Sequence, residues 1–240
     1  MTQTIAIVTP TYKRPHFIKP VIRQIMSQTK SDLIFVMVSD GSDAAARKIF
    51  TKHAGSDPRF HFIETDRNYA DWGCTPRLHG LRYLSGLKNQ PRYVVFWDDD
   101  NSFNKDALQK IEIAIEGALC PDILLVPILH ADGQLPAPGV LVPDLASANL
   151  DMANIVTTLP IASRAYGALS SMSPGYNQDF QFFEIVRDKM NGVIKIAEMA
   201  PIGRYDGLRF WSTLRWQLRI PPLGLTKRNW YQKIRKKIRG

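Results

Sequence analysis

Asp98, Asp99 and Asp100 stand in a row directly behind the apolar run Tyr93-Val94-Val95-Phe96-Trp97. Three adjacent carboxylates repel one another, and a hard divalent cation is the simplest relief. Mg²⁺ or Mn²⁺ takes one or two such oxygens together with those of a diphosphate. A single Asp there would read as the cap of the next helix; three in succession point to cation and phosphate chemistry. Three further segments place polar groups where strands end. Thr9-Pro10-Thr11-Tyr12-Lys13-Arg14 follows a first β-rich run, Ser39-Asp40-Gly41-Ser42 a second, and Asn68 to Arg77 a third. In an open parallel sheet these loops share one edge, and ligands bind there, outside the carboxyl ends of the strands. The set offers a carboxylate for a base or ribose, arginine for a base or phosphate, and a cation for a diphosphate. A nucleoside diphosphate needs all of it.

The elements that must position these groups alternate through the first half. Strands are predicted at Thr4 to Val8, Leu33 to Val38, Phe60 to Glu64, Tyr93 to Trp97 and Ile123 to Val126. Helices are predicted between them: one carrying Phe17, Val21, Ile22, Ile25 and Met26, one from Ala44 to His53, one from Pro76 with Leu78, Leu81 and Leu84, and one from about Lys105 to Gly117. Such alternation predicts an α/β fold with a mostly parallel central sheet flanked by helices on both faces. The second half is less regular. His130 to Pro143 reads as a surface loop, Asp179 to Met190 as a helix, and Val193 to Glu198 as a late strand.

With these motifs in their order, the sequence resembles glycosyltransferase family 2, inverting enzymes of the GT-A fold, over roughly residues 4–200. Ile5 to Arg14 resembles the family's opening strand and P-T-Y-N-R signature, with Lys13 where Asn is usual. Val38-Ser39-Asp40-Gly41-Ser42 resembles its V-D-D-G-S turn, and Val95 to Asn101 its strand and DXD motif. The resemblance implies that Pro10, Thr11, Tyr12 and Arg14 line the nucleotide, that Asp40 hydrogen-bonds the base, and that Arg77 reaches the base or phosphate side. It further implies that Asp98 and Asp99 contact the ribose and diphosphate, while Asp100, with Asp98, holds Mn²⁺ or Mg²⁺. An inverting transfer needs a carboxylate base for the acceptor hydroxyl. The family's E-D pair at a helix start corresponds to Gln178-Asp179, which makes Asp179 the base; Asp144 and Asp151, in the loop region, are weaker candidates. The family often adds a late His as a metal ligand, but the last of the five histidines here is His130, so coordination rests on Asp100, the diphosphate and water, or on a substitute such as Asp206. The activity implied is transfer of a sugar from a nucleotide-diphosphate donor, most commonly a UDP-sugar, to a hydroxyl of a glycan or lipid-linked acceptor. Two alternatives stay open: nucleotidyl transfer on an α/β sheet, and a non-catalytic adaptor for membrane or nucleic acid.

The 240 residues carry a net charge of +9, very unevenly spread. From Arg204 to Gly240 there are 11 Lys or Arg and one acid, while the first 203 residues are close to neutral. Two units follow: a glycosyltransferase-like domain at 1–203, with a nucleotide-binding half to about 105 and an acceptor half from about 106, and a basic amphipathic segment at 204–240. In that segment Leu208, Trp211, Leu214 and Leu218 fall on one helical face among arginines. This interleaving suits an anionic membrane surface. No nucleic acid partner is expected, since a neutral body with acidic loops offers no continuous groove for one. Two cysteines at Cys74 and Cys120, and no signal-like leader, give the expectation of a cytoplasmic protein, peripheral on the inner face of the membrane.

Overall fold

The computed structural model describes residues 4–130, 133–142, 145, 150–172, 177–190 and 192–205. Its first half runs β1 (Ile5–Thr11), α1 (Pro15–Met26), β2 (Leu33–Ser39), α2 (Ala44–Ala54), β3 (Phe60–Glu64), α3 (Cys74–Ser85) and β4 (Tyr93–Phe96). There follow β5 (Asn101–Phe103), α4 (Ala107–Gly117), β6 (Ile123–Leu125), β7 (Ile128–His130) and β8 (Gly133–Leu135). Last come β9 (Ile155–Thr158), α5 (Leu159–Ser170), α6 (Gln178–Glu184), β10 (Ile194–Ile196) and β11 (Gly203–Tyr205). Seven strands form the central sheet in the order β10-β6-β9-β4-β1-β2-β3, and β5-β11-β7-β8 form a smaller one.

All neighbouring pairs of the central sheet are parallel except those of β9, which is antiparallel to both β4 and β6. Alternation along the strands divides the core between two faces. Ile5 and Ile7 of β1 belong to one cluster with Ile18 and Ile22 of α1, Phe50 of α2 and Ile111 of α4. Ala6 and Val8 belong to the other, with Leu81 and Leu84 of α3, Ala162 of α5 and Phe182 of α6. Burial on both faces is why these strands read as continuous apolar runs.

Several expected boundaries shift. Thr9-Pro10-Thr11 reads as a turn in sequence but continues β1, in register with Met37, Val38 and Ser39. Pro10 is tolerated because β4 ends at Phe96, opposite Val8, so no strand is there to receive the N–H that proline lacks. The helix expected at 179–190 is α6 passing into a π-helical turn at Ile185–Lys189. Part of the loop expected at 130–143 is instead the β7–β8 hairpin. Sequence reasoning passed over β9 and α5, although α5 carries the buried series Leu159, Ala162, Ala165, Tyr166 and Leu169 behind a proline in its first turn. The described residues belong to a unit spanning 1–206. The basic segment expected from Arg204 lies, apart from its first two residues, outside the described residues, as do Asp144 and Asp206.

Candidate active site

Because β1 to β4 run parallel, their carboxyl ends meet at one edge, and a cleft of about 940 Å³ opens there. Ten residues singled out from sequence line it: Pro10, Thr11, Tyr12, Arg14, Asp40, Arg77, Asp98, Asp99, Asp100 and Asp179.

The three aspartates are not alike. They follow β4 in a turn closed by the Asn101 N–H donating to the Asp98 carbonyl at 3.3 Å. Asp99 is buried and accepts from Thr11 Oγ1 at 2.7 Å and Arg14 Nη1 at 2.8 Å. Asp98 and Asp100 are half-buried on the cleft wall. Arg77 Nη2 donates to Asp98 Oδ1 at 2.5 Å, and Arg14 Nη1 lies 3.3 Å from Asp100 Oδ2. Two buried or half-buried guanidiniums thus neutralise much of the triplet, a relief that the sequence expectation of a cation did not include. It also changes individual roles. Asp99 and the Thr11 hydroxyl are occupied with each other and with Arg14, so they brace the turn from behind.

Three carboxylates still face two guanidiniums. Burial, with Asp98 and Asp99 adding repulsion, pushes the Asp100 carboxyl up to about 6. A cation held by Asp98 and Asp100 would relieve that residual charge. Among the described residues no three His, Cys, Asp or Glu side chains gather closely enough to hold a metal ion. Substrate phosphates and water commonly complete Mg²⁺ and Mn²⁺ sites of this kind.

The loop from 66 to 73 forms another wall. Asp40 organises it: the carboxylate accepts from the Tyr69 N–H at 2.8 Å and the Ala70 N–H at 3.0 Å. A carboxylate has room for further donors, so Asp40 can still receive a base N–H from the cleft. Ala70, Trp72 and Gly73 all have positive φ, at 52°, 60° and 84°. Glycine is required at 73, where a Cβ would come within 3.1 Å of Pro10 and 3.2 Å of Arg77 Nη1. The Tyr12 hydroxyl accepts from Asn68 Nδ2 at 2.8 Å, tying the first loop to this one. Cys74, at the start of α3, has its thiol pushed up to about 12 by burial and by Asp71, which rules out a thiolate nucleophile at neutral pH.

Asp179 stands in the first turn of α6. Asp151 stands beside it, and sequence reasoning had ranked it low. Because β9 is antiparallel it enters the sheet at the cleft edge, so the segment before it delivers Asp151 there. Asp151 caps a 3₁₀ turn at Met152–Asn154, accepting from the Ala153 N–H at 2.8 Å, while Asp179 accepts from the Met152 N–H. Burial, mutual repulsion and Asp98 push both carboxyls well above the usual range, with Arg77 acting against the rise. His130, Gln134, Leu135 and Leu150 complete this side, and none was a sequence candidate for the site.

With that geometry in view, residues 6–117 match glycosyl transferase family 2. The chain is 26% identical over 106 residues to the putative teichuronic acid biosynthesis glycosyltransferase TuaG of Bacillus subtilis, covering 44% of this chain and 39% of TuaG. It is 26% identical over 107 residues to glycosyltransferase GlyA of Streptococcus pneumoniae, covering 45% of this chain and 14% of GlyA. The matched stretch thus spans less than half of either relative. Among solved structures, S. aureus TarS 1-349 in complex with UDP superposes with a TM-score of 0.61 at 15% identity, covering 84% of this chain and 60% of that one. Mannosyltransferase PcManGT from Pyrobaculum calidifontis, in complex with GDP-Man and Mn²⁺, superposes at 0.59 and 14% identity, covering 90% and 61%. Those two likenesses establish the fold, the GT-A fold of nucleotide-sugar transferases. Over residues 6–117 this chain is similar to glycosyltransferase family 2.

Proposed function

We propose that the protein transfers a sugar, with inversion, from a nucleotide-diphosphate donor to a hydroxyl group of a glycan or lipid-linked acceptor. One observation carries the reading: Asp179 lines the same cleft as the Asp98–Asp100 turn, although 79 residues separate Asp100 from Asp179. A donor laid along the strand ends places its base against Pro10, Tyr12 and Asp40 and its diphosphate toward Asp98 and Asp100. A uridine donor is favoured by the family and by the UDP complex of TarS.

The chemistry follows from this placement. The acceptor oxygen attacks the anomeric carbon as the bond to the diphosphate oxygen breaks, the electron pair leaves with the phosphate, and Asp179 takes the hydroxyl proton. A raised proton affinity suits Asp179 to that task, because a base works best when poised near the working pH. Arg77 holds Asp98 in place from beneath, and Arg14 does the same for Asp99 and Asp100. A divalent cation held by Asp98 and Asp100, when bound, offsets the charge that builds on the leaving diphosphate. The basic segment at 204–240 belongs to the same reading, as the part that brings the enzyme to an anionic membrane at the cytoplasmic face.

A panel of nucleotide sugars with Mn²⁺ is the test. The cognate donor raises the melting temperature by mass action. Asp179→Asn lowers transfer by about 10²- to 10⁴-fold with donor binding retained. Full turnover in that variant refutes the base, and no stabilisation by any nucleotide sugar refutes the donor site.

A further inference from the structure

Gln178 makes a contact that the chemistry above does not use. Its Nε2 donates to the Trp72 carbonyl at 2.6 Å, across 106 residues of sequence. The same carbonyl accepts from Arg77 Nη1 at 3.1 Å, and Arg77 Nη2 holds Asp98. A continuous path therefore runs from Asp98 through Arg77 and the Trp72 carbonyl to Gln178, whose chain neighbour is Asp179. Both side chains that meet at the carbonyl are buried, Arg77 at 2% exposed and Gln178 at 5%. The loop supplying the carbonyl is constrained by positive φ at Trp72 and Gly73 and by Pro10 and Arg77 crowding Gly73. It is a fixed point rather than a yielding one.

The residue type matters. Facing a carbonyl oxygen, position 178 must donate, which an amide does and a carboxylate does not. A glutamate, as in the E-D pair that this segment resembles, would set two unprotonated oxygens against each other and add a negative charge beside Asp179 and Asp151.

We propose that Gln178 is a positioning residue: through the Trp72 carbonyl it registers the helix carrying Asp179 against the Arg77–Asp98 pair, so that base and donor site are set as one unit. The role of Asp179 rests on the function proposed above, whereas the mechanical link is open to test without turnover.

The test is amide hydrogen exchange on the full chain, with and without saturating UDP and Mn²⁺, for the parent and for Gln178→Met, which keeps length without a donor. In the parent, UDP slows exchange in peptides covering 69–77 and, through the link, in 178–184. In Gln178→Met the first effect remains and the second is lost. Steady-state transfer falls about 10- to 100-fold in kcat, the cost of a misplaced base, with donor KM and the affinity for UDP little changed. A role confined to folding would raise donor KM and weaken UDP binding along with the fall in transfer. Gln178→Glu, checked by thermal melt, gives the same split should the methionine variant fold poorly. Equal protection of 178–184 in parent and variant, or an unchanged kcat, overturns the link. Absence of UDP protection at 69–77 in the parent overturns the donor site itself, and this inference with it.

Discussion

Asp151 and Asp179 share one end of the cleft, and their charges decide when the site can act. Burial disfavours the charged form of each, repulsion between them adds to this, Asp98 contributes in the same direction, and Arg77 opposes. The pair consequently keeps a proton at a pH where ordinary aspartates, near pH 4, have lost theirs. A base must be unprotonated to work, so kcat/KM rises with pH along a limb displaced above the ordinary carboxylate range. Asp151→Asn removes the neighbouring charge and moves that limb to lower pH, as a kcat/KM profile against pH will record. An unmoved limb would mean that Asp151 has no hold on the base. The same residue illustrates what was legible in sequence. Asp179 stands out in sequence because it follows a motif-like context; Asp151 is only a weaker candidate there, because its approach depends on the direction in which β9 crosses the sheet.

At the scale of elements, one aromatic group holds the helix of Asp179, the proposed base, to the sheet. Phe96 at the end of β4, Tyr166 of α5 and Phe182 of α6 are fully buried, with ring centroids 5.0 to 6.1 Å apart. Asp98 lies two residues beyond Phe96 and Asp179 three before Phe182, so the packing of these rings sets the distance between the two chemistries. The Tyr166 hydroxyl also reaches Met152 Sδ at 3.6 Å, next to Asp151. Phe182→Ala leaves a large void and costs about 3–5 kcal/mol in urea unfolding. A cost below about 1 kcal/mol, the scale of an ordinary surface substitution, would show that α6 is not anchored there. The periodicity of α3 and α4 was readable because each carries a regular apolar stripe. α6 was only half readable, since it is short and gives way to a π-helical turn at Ile185–Lys189.

At the scale of the whole molecule, charge is segregated: an almost neutral body and a strongly basic terminus. Removal of residues 206–240 is expected to leave transfer to a soluble acceptor intact while abolishing sedimentation with anionic vesicles, each basic group near such a surface being worth about 1 kcal/mol. Loss of transfer to the soluble acceptor on truncation would place the segment in catalysis instead. The sequence alone determined the α/β class, the donor-side strand ends and the triplet at 98–100, because doubly buried strands and loop motifs are written in local residue types. It did not determine how the triplet is neutralised, since Arg14 and Arg77 meet the aspartates only across 85 and 21 residues. Nor did it determine the pairing of Asp151 with Asp179 or the bridge through the Trp72 carbonyl. Those contacts depend on strand direction and on backbone oxygens, and the tertiary structure alone decides where either will point.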